Sequence, residues 1–290
     1  NNPKNLYTYF VLIVDLYDKQ LKSAEELFTK YDEISEKVER EIKNYTNKVN
    51  KFVSEDISES QVELSKKNAS KVKSYNSFLK NYDIILKGIE RKVGDRANCD
   101  NLIILYEKSY EEKKNDGIWL GRALTRLSKK DCMDSELYVK ILEQKNILDP
   151  NADVYYYLGI IKDKEGKSAE ALEYYNQAID LENDGYEKAK ILFRIATKFR
   201  KDGLFSRARS YYVKALRFNP SMGKCYLAIA QMYASSAKHC GSDNFTQRAV
   251  YWLASKEALK AGRVDSKLKK AANQSSRNYL AKAPQKSEIF

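Results

Sequence analysis

Apolar residues return every three or four positions along most of this chain, the spacing of one helical face. Leu6, Tyr9, Phe10, Ile13, Leu16 and Tyr17 share one side of a helix predicted over 5–19. Ser23 and Glu26 have the spacing of a capping box, opening a second helix. Leu27, Tyr31, Ile34, Val38, Ile42, Tyr45 and Val49 hold the period nearly to Phe52. A helix that long is expected in a coiled-coil-like hairpin. Residues 54–68 are polar without a stripe and are predicted to be its loop, while Val72, Tyr75, Phe78, Leu79, Tyr82, Ile85, Leu86 and Ile89 mark the returning arm. Gly94-Asp95-Arg96 breaks that arm, so 1–96 reads as an N-terminal helical region.

Residues 97–150 read as divergent helical repeats. A helix over 100–114 starts with Asp100 against its N-terminal dipole, Asn115-Asp116-Gly117 turns the chain, and 118–129 returns. The antiparallel return brings Cys132 beside Cys99, close enough for a disulfide; the alternative is two small buried thiols. A further helix over 135–148 ends at Asp149-Pro150. Cys225 and Cys240 cannot pair: on one helix over 223–238 they stand about 20 Å apart.

From 151 onward the pattern repeats. Tyr155, Leu158, Gly159, Gly166, Ala171, Tyr175 and Ala178 make one unit; Leu192, Ile195, Ala196, Phe199, Gly203, Ala208, Tyr212 and Ala215 make the next, closed by Asn219-Pro220. Small residues let two antiparallel helices approach, large ones fill the gap to the neighbouring unit, and Pro stops the second helix. This is the arrangement of tetratricopeptide (TPR) units. Ala171 to Ala208 is 37 positions, against the usual TPR period of about 34. The excess fits the connection at 183–186. A third unit holds Tyr226, Ile229, Ala230 and Tyr233, then Ala254, Ala258 and Ala261, with an insertion expected at about 236–248. The organisation is then three TPR units over 151–266 and a capping helix and tail over 267–290. The predicted fold class is all-α, a TPR-type α-solenoid preceded by a long helical hairpin.

The chain resembles the extracytoplasmic TPR proteins of Bacteroidota. The resemblance rests on Ala97-Asn98-Cys99-Asp100-Asn101-Leu102, Asp131-Cys132-Met133-Asp134, the run from Glu165 to Leu172, the run from Ala228 to Ala237, Cys240-Gly241 and Arg248-Ala249-Val250-Tyr251-Trp252. It implies export to the periplasm or an outer-membrane-associated place, an oxidising setting that favours a Cys99–Cys132 bridge. It also implies a scaffold role without chemistry, and a short further segment after a sequence like Lys286-Ser287-Glu288-Ile289-Phe290.

Composition sharpens the picture. Only 4 Pro and 11 Gly punctuate 290 residues, and Tyr is abundant at 22. The net charge of +12 is uneven: 186–290 carry 22 Lys plus Arg against 6 Asp plus Glu, +16, leaving −4 for 1–185. A field of that sign attracts acidic peptides, nucleic acid or anionic lipid. No run of 18 apolar residues spans a membrane. His239, beside Cys240, is the single histidine, with no second ligand at metal spacing. Lys162 to Ser168 ends in Gly-Lys-Ser but lacks the earlier glycine of a phosphate loop. No enzyme, cofactor or metal is expected.

The expected binding surface is the concave face, lined by the first helix of each unit. Its residues are Tyr156 and Ile160, then Lys190, Phe193, Thr197, Arg200 and Lys201, then Lys224, Leu227 and Gln231. Aromatic surface among cations suits an extended, acidic peptide. Some TPR proteins grip a C-terminal carboxylate with Lys and Asn; here Tyr156 and Ile160 stand at those places, which argues against such a clamp. The expected function is an adaptor for partner proteins in the bacterial envelope, as an accessory subunit of an outer-membrane assembly, secretion or uptake complex. The competing reading is a basic helical protein binding nucleic acid or an anionic surface. Against nucleic acid, the cations are scattered and no RNA-reading motif occurs.

Overall fold

A computed structural model describes residues 3–56, 63–285 and 288, and among them there is no strand. The helices are α1 (Pro3–Asp18), α2 (Ala24–Asp56), α3 (Lys66–Val93), α4 (Cys99–Lys113), α5 (Gly117–Lys129), α6 (Glu136–Leu148) and α7 (Ala152–Lys164). They continue as α8 (Ser168–Leu181), α9 (Gly185–Lys201), α10 (Phe205–Phe218), α11 (Gly223–Ser236), α12 (Asn244–Val264) and α13 (Lys269–Leu280). The fold is all-α and of the TPR solenoid class, its repeating unit an antiparallel helix pair.

Local chemistry sets the ends of these helices. The Ser23 hydroxyl accepts from the Glu26 amide at 3.1 Å, and the Glu26 carboxylate accepts from the Ser23 amide at 2.8 Å, the capping box read from the sequence. Asn98, Asp116, Ser135, Asn151 and Asp184 cap α4, α5, α6, α7 and α9 with side-chain acceptors. Gly166 (φ 77°) and Gly203 (φ 76°) close α7 and α9 in the left-handed conformation. In each turn the following residue donates back to the last helical turn: Lys167 to the Lys162 carbonyl and Leu204 to the Phe199 carbonyl, both at 2.9 Å. Two other helices end the same way without glycine, on Gln20 (φ 58°) and Asp131 (φ 60°).

Close packing divides the chain into two units. Unit 1, residues 1–42 and 81–183, is built on buried Phe10, Leu27, Ile89, Leu102, Leu120, Leu124, Leu127, Tyr138 and Ile141. In it α7 pairs with α8: a Cβ on Gly159 would lie 2.5 Å from the Tyr175 ring and 3.2 Å from the Ala171 carbonyl oxygen. Unit 2, residues 43–80 and 184–290, holds the pairs α9–α10 and α11–α12 with α13 packed on α12. Ala196, Ala208, Ala215, Ala230, Ala254 and Ala261 are fully buried there. The parts of the long helices in unit 2 stack Tyr45 on Phe78 at 4.9 Å. They also reach the repeats: Asn50 Oδ1 accepts from the Ser221 amide at 3.0 Å, and Asn76 Nδ2 donates to the Val264 carbonyl at 3.3 Å. These units cut across the segments 1–96, 97–150, 151–266 and 267–290 drawn from the sequence, because each arm of the hairpin divides between them.

Two expected loops are shorter than the sequence implied. Within 54–68, Ser54 to Asp56 continue α2 and Lys66 to Asn68 begin α3, while 57–62 lie outside the described residues. Polar residues hold this helix end because they have partners: Asp56 accepts from the Ser65 amide at 2.8 Å, and Asn68 Nδ2 donates to Glu55 and Asp56 at 3.1 and 3.0 Å. The insertion expected at 236–248 reduces to a 3₁₀ turn over Ala237–His239 and four linking residues. A capping box between Asp243 and Thr246 starts α12 at Asn244, ahead of its apolar stripe.

Candidate protein-interaction surface

The first helices of unit 2 present the residues expected to bind. Arg200 Nη1 on α9 donates to Gln231 Oε1 on α11 at 2.6 Å, linking the two helices through these side chains. Thr197 donates back to the Phe193 carbonyl at 2.8 Å and meets the Tyr212 hydroxyl at 3.0 Å. Phe193 is half-buried, its ring 5.6 Å from that of Tyr212, so it serves packing within the pair as well as surface. Lys190 pairs with Glu187 at 2.8 Å and lies over the Tyr186 ring. Lys201, Lys224 and Gln231 are exposed, and Leu227 is half-buried.

Charge follows the units more closely than the chain halves. Unit 2 carries 30 Lys plus Arg against 11 Asp plus Glu, a formal +19; unit 1 carries 22 against 29, a formal −7. A cationic field of this size raises the encounter rate of acidic partners and weakens with salt.

Tyr156 and Ile160 belong to unit 1. Tyr156 is half-buried among Tyr157 and Tyr175, with ring centroids 5.6 and 5.9 Å away, and Ile160 is half-buried. Near them the Tyr175 hydroxyl donates to Asp163 at 2.6 Å.

Unit 1 also holds a feature that the sequence did not reveal. A groove of about 830 Å³ runs beside α2, α5 and the start of α7, lined by Asp32, Ser35, Glu36, Arg122, Arg126 and Lys129 among others. Arg126 is 4% exposed; it pairs with Asp32, donates to the Tyr106 hydroxyl and the Phe28 carbonyl, and lies 4.7 Å from the Phe28 ring centroid. Burial pushes the Asp32 carboxyl above its ordinary range, against the pull of Arg126. Arg122 forks onto Glu36 at 2.8 and 3.0 Å, and Lys129 reaches Glu39 at 3.3 Å. The groove's cations are thus largely matched by its own carboxylates, and they brace α5 on α2. An i, i+4, i+7 row of cations at 122, 126 and 129 opposite acids at 32, 36 and 39 was the available signal.

Cys99 and Cys132 are joined, their Cα atoms 5.5 Å apart, where α4 starts and α5 ends. Cys225 is buried, which pushes its thiol up, and Cys240 is half-buried. His239 is exposed, and no group of three or more His, Cys, Asp and Glu able to hold a metal occurs among the described residues. No described helix is long and apolar enough to cross a membrane.

Comparison with known proteins places this architecture. No protein-family model matches the chain. It is 32% identical over 126 residues to the photosystem I assembly protein Ycf3 of Cyanophora paradoxa, an alignment covering 41% of this chain and 72% of that protein. The chain belongs to the Ycf3-like family of TPR proteins. The Ycf3 of Synechococcus elongatus is 31% identical with the same coverage, and that of Cuscuta gronovii is 32% identical over 112 residues, 36% of this chain and 67% of that protein. A solved structure, the human IFIT1 dimer with PPP-AAAA, is similar over 97% of this chain and 72% of that one, at 15% identity and a TM-score of 0.44. The TPR architecture shared with these relatives is that of a protein-interaction scaffold.

Proposed function

We propose that this chain is a non-enzymatic scaffold holding acidic, extended segments of partner proteins on the first-helix face of unit 2. The observation that carries the reading is the Arg200–Gln231 bond between α9 and α11. The same two helices expose Lys201 and Lys224 beside half-buried Leu227. Cations near apolar surface recognise carboxylates flanked by apolar side chains. The relatives bear the name of assembly proteins, and the parallel role here is to bring subunits of a complex together.

The finer reading is an accessory subunit of an assembly, secretion or uptake complex in the bacterial envelope, outside the cytoplasm and associated with the outer membrane. Its support is the juxtaposition of Cys99 and Cys132, since disulfides persist in oxidising compartments. Thiol trapping in the native cell, followed by mass measurement with and without reductant, tests it. A pair oxidised in place supports export, and free thiols at both positions overturn it.

Pull-down with the full chain and with K201E/K224E tests the scaffold role. The expected result is a defined acidic protein that the variant loses. Equal recovery by both overturns the assigned face, and a chain that retains only oligonucleotide at ~50 mM salt favours the nucleic-acid reading that the +19 charge of unit 2 permits.

A further inference from the structure

We infer that unit 2 carries a second docking surface, away from the first-helix face, for a protein segment that combines apolar anchors with flanking carboxylates. A groove of about 420 Å³ lies among α10, α11 and α12, bordered by Ser54 near the end of α2. Its apolar lining is Val213, Leu216, Pro220, Tyr226, Ile229 and Tyr233. On α11 the groove takes positions 226, 229 and 233, whereas the face proposed above takes 224, 227 and 231. The two sets lie on separate stripes of one helix, the groove's with Tyr226 and Ile229 buried and Tyr233 half-buried.

Charge decides what the groove fits. Arg209 and Arg217 are exposed on its border and form no ion pair among the described residues. Arg209 is held in place instead: its Nε donates to the Tyr233 hydroxyl at 2.9 Å, with the guanidinium 5.6 Å from that ring centroid. Lys260 is 6% exposed, paired with Glu257 at 3.0 Å and 5.9 Å from the Tyr226 ring centroid. Two cations thus remain available beside an apolar surface. An acidic segment gains both charge pairing and burial there.

The repeat supplies an internal comparison. Unit 1 has a groove of about 360 Å³ lined by Asn146, Tyr155, Leu158, Glu170, Glu173, Tyr174 and Gln177. Counting from Gly159 and Ala230, Tyr155 and Leu158 correspond to Tyr226 and Ile229. Counting from Pro150 and Pro220, Asn146 corresponds to Leu216; counting from Ala171 and Ala254, Gln177 corresponds to Lys260. At this place Asn146 and Gln177 of unit 1 give way to Leu216 and Lys260 of unit 2, the 155/226 and 158/229 positions stay apolar, and Tyr174 gives way to Glu257, which pairs with Lys260. What unit 2 adds to the shared apolar positions is Leu216, together with Arg209 and Arg217 on the border.

Fluorescence anisotropy tests this with the full chain and a labelled twelve-residue peptide of alternating Asp and Leu, at about 100 mM salt. The expected result is saturable binding that R209A/R217A weakens about tenfold or more, while K201A/K224A changes it less than about threefold. Leu216→Asn, the residue at the equivalent place in unit 1, also weakens it. Replacing every Leu of the peptide by Ser, or every Asp by Lys, abolishes binding. Circular dichroism checks that each variant keeps its helices. No binding of the peptide, equal binding of the Ser version, or equal loss in both double variants overturns the proposal. So does tighter binding of a single-stranded oligonucleotide through Arg209 and Arg217. Loss in K201A/K224A alone overturns it and leaves the first-helix reading standing.

Discussion

Arg200 on α9 donates to Gln231 on α11 at 2.6 Å, tying one repeat's first helix to the next across the face proposed to hold a partner. Arg200→Ala and Gln231→Ala are each expected to cost about 1 kcal/mol of stability, the net worth of one such bond. Removing both costs less than the sum, because the second change finds no bond left to break. A double-mutant cycle by urea denaturation checks it. Strict additivity rules the link out.

The buried pair of Arg126 and Asp32 behaves differently from a surface bridge. Asp32→Ala leaves a guanidinium that is 4% exposed without its counter-charge and is expected to cost about 3–5 kcal/mol. The double variant D32L/R126M recovers most of that loss, since it removes both desolvated charges. Unfolding midpoints of the single and double variants decide it; a double variant as unstable as D32A contradicts the account.

Backbone conformation gives two opposite expectations. Gly159→Ala forces a methyl to within 2.5 Å of the Tyr175 ring and 3.2 Å of a carbonyl oxygen, and is expected to destabilise by about 1–3 kcal/mol. Gln20→Gly relieves a non-glycine residue at φ 58° and is expected to stabilise by about 1 kcal/mol. Thermal melting of both variants tests the pair of signs.

Acid sensitivity follows from Asp18, which receives two hydrogen bonds from Arg96, at 2.8 and 2.6 Å. The hydrogen bonds and charge of Arg96 hold the Asp18 carboxyl below its ordinary range. A depressed folded pKa contributes stability above the unfolded value, near pH 4, and loses it as pH falls. Asp18→Asn is therefore expected to lower the melting temperature at pH 7 and to flatten its decline between about pH 5 and 3. An unchanged slope contradicts this.

What the sequence showed and what it hid have physical reasons. Gly166 and Gly203 were legible as turns because a left-handed position leaves glycine as its signature, and the buried alanines were legible because close helix approach requires them. The same turn on Gln20 or Asp131 has no such signature. The polar end of α2 was read as loop because Glu55 and Asp56 lack an apolar stripe, yet Asn68 and Ser65 supply partners that no periodicity announces. The cation row holding Arg126 was readable but its burial was not: its carbonyl acceptor is Phe28, 98 positions earlier, so burial is decided by tertiary packing. On the first-helix face, stripe membership was readable, but the engagement of Lys190 with Glu187 was not.

The central claim is that the first-helix face of unit 2 holds an acidic partner. A photo-crosslinking residue placed at Leu227 or Lys201 in the native host, compared with Lys270 on α13, tests it most directly. The account predicts one and the same acidic protein attached at both face positions and absent at Lys270, with yield falling as salt rises. Attachment of the same species at all three positions, or of nothing at Leu227 and Lys201, would contradict it.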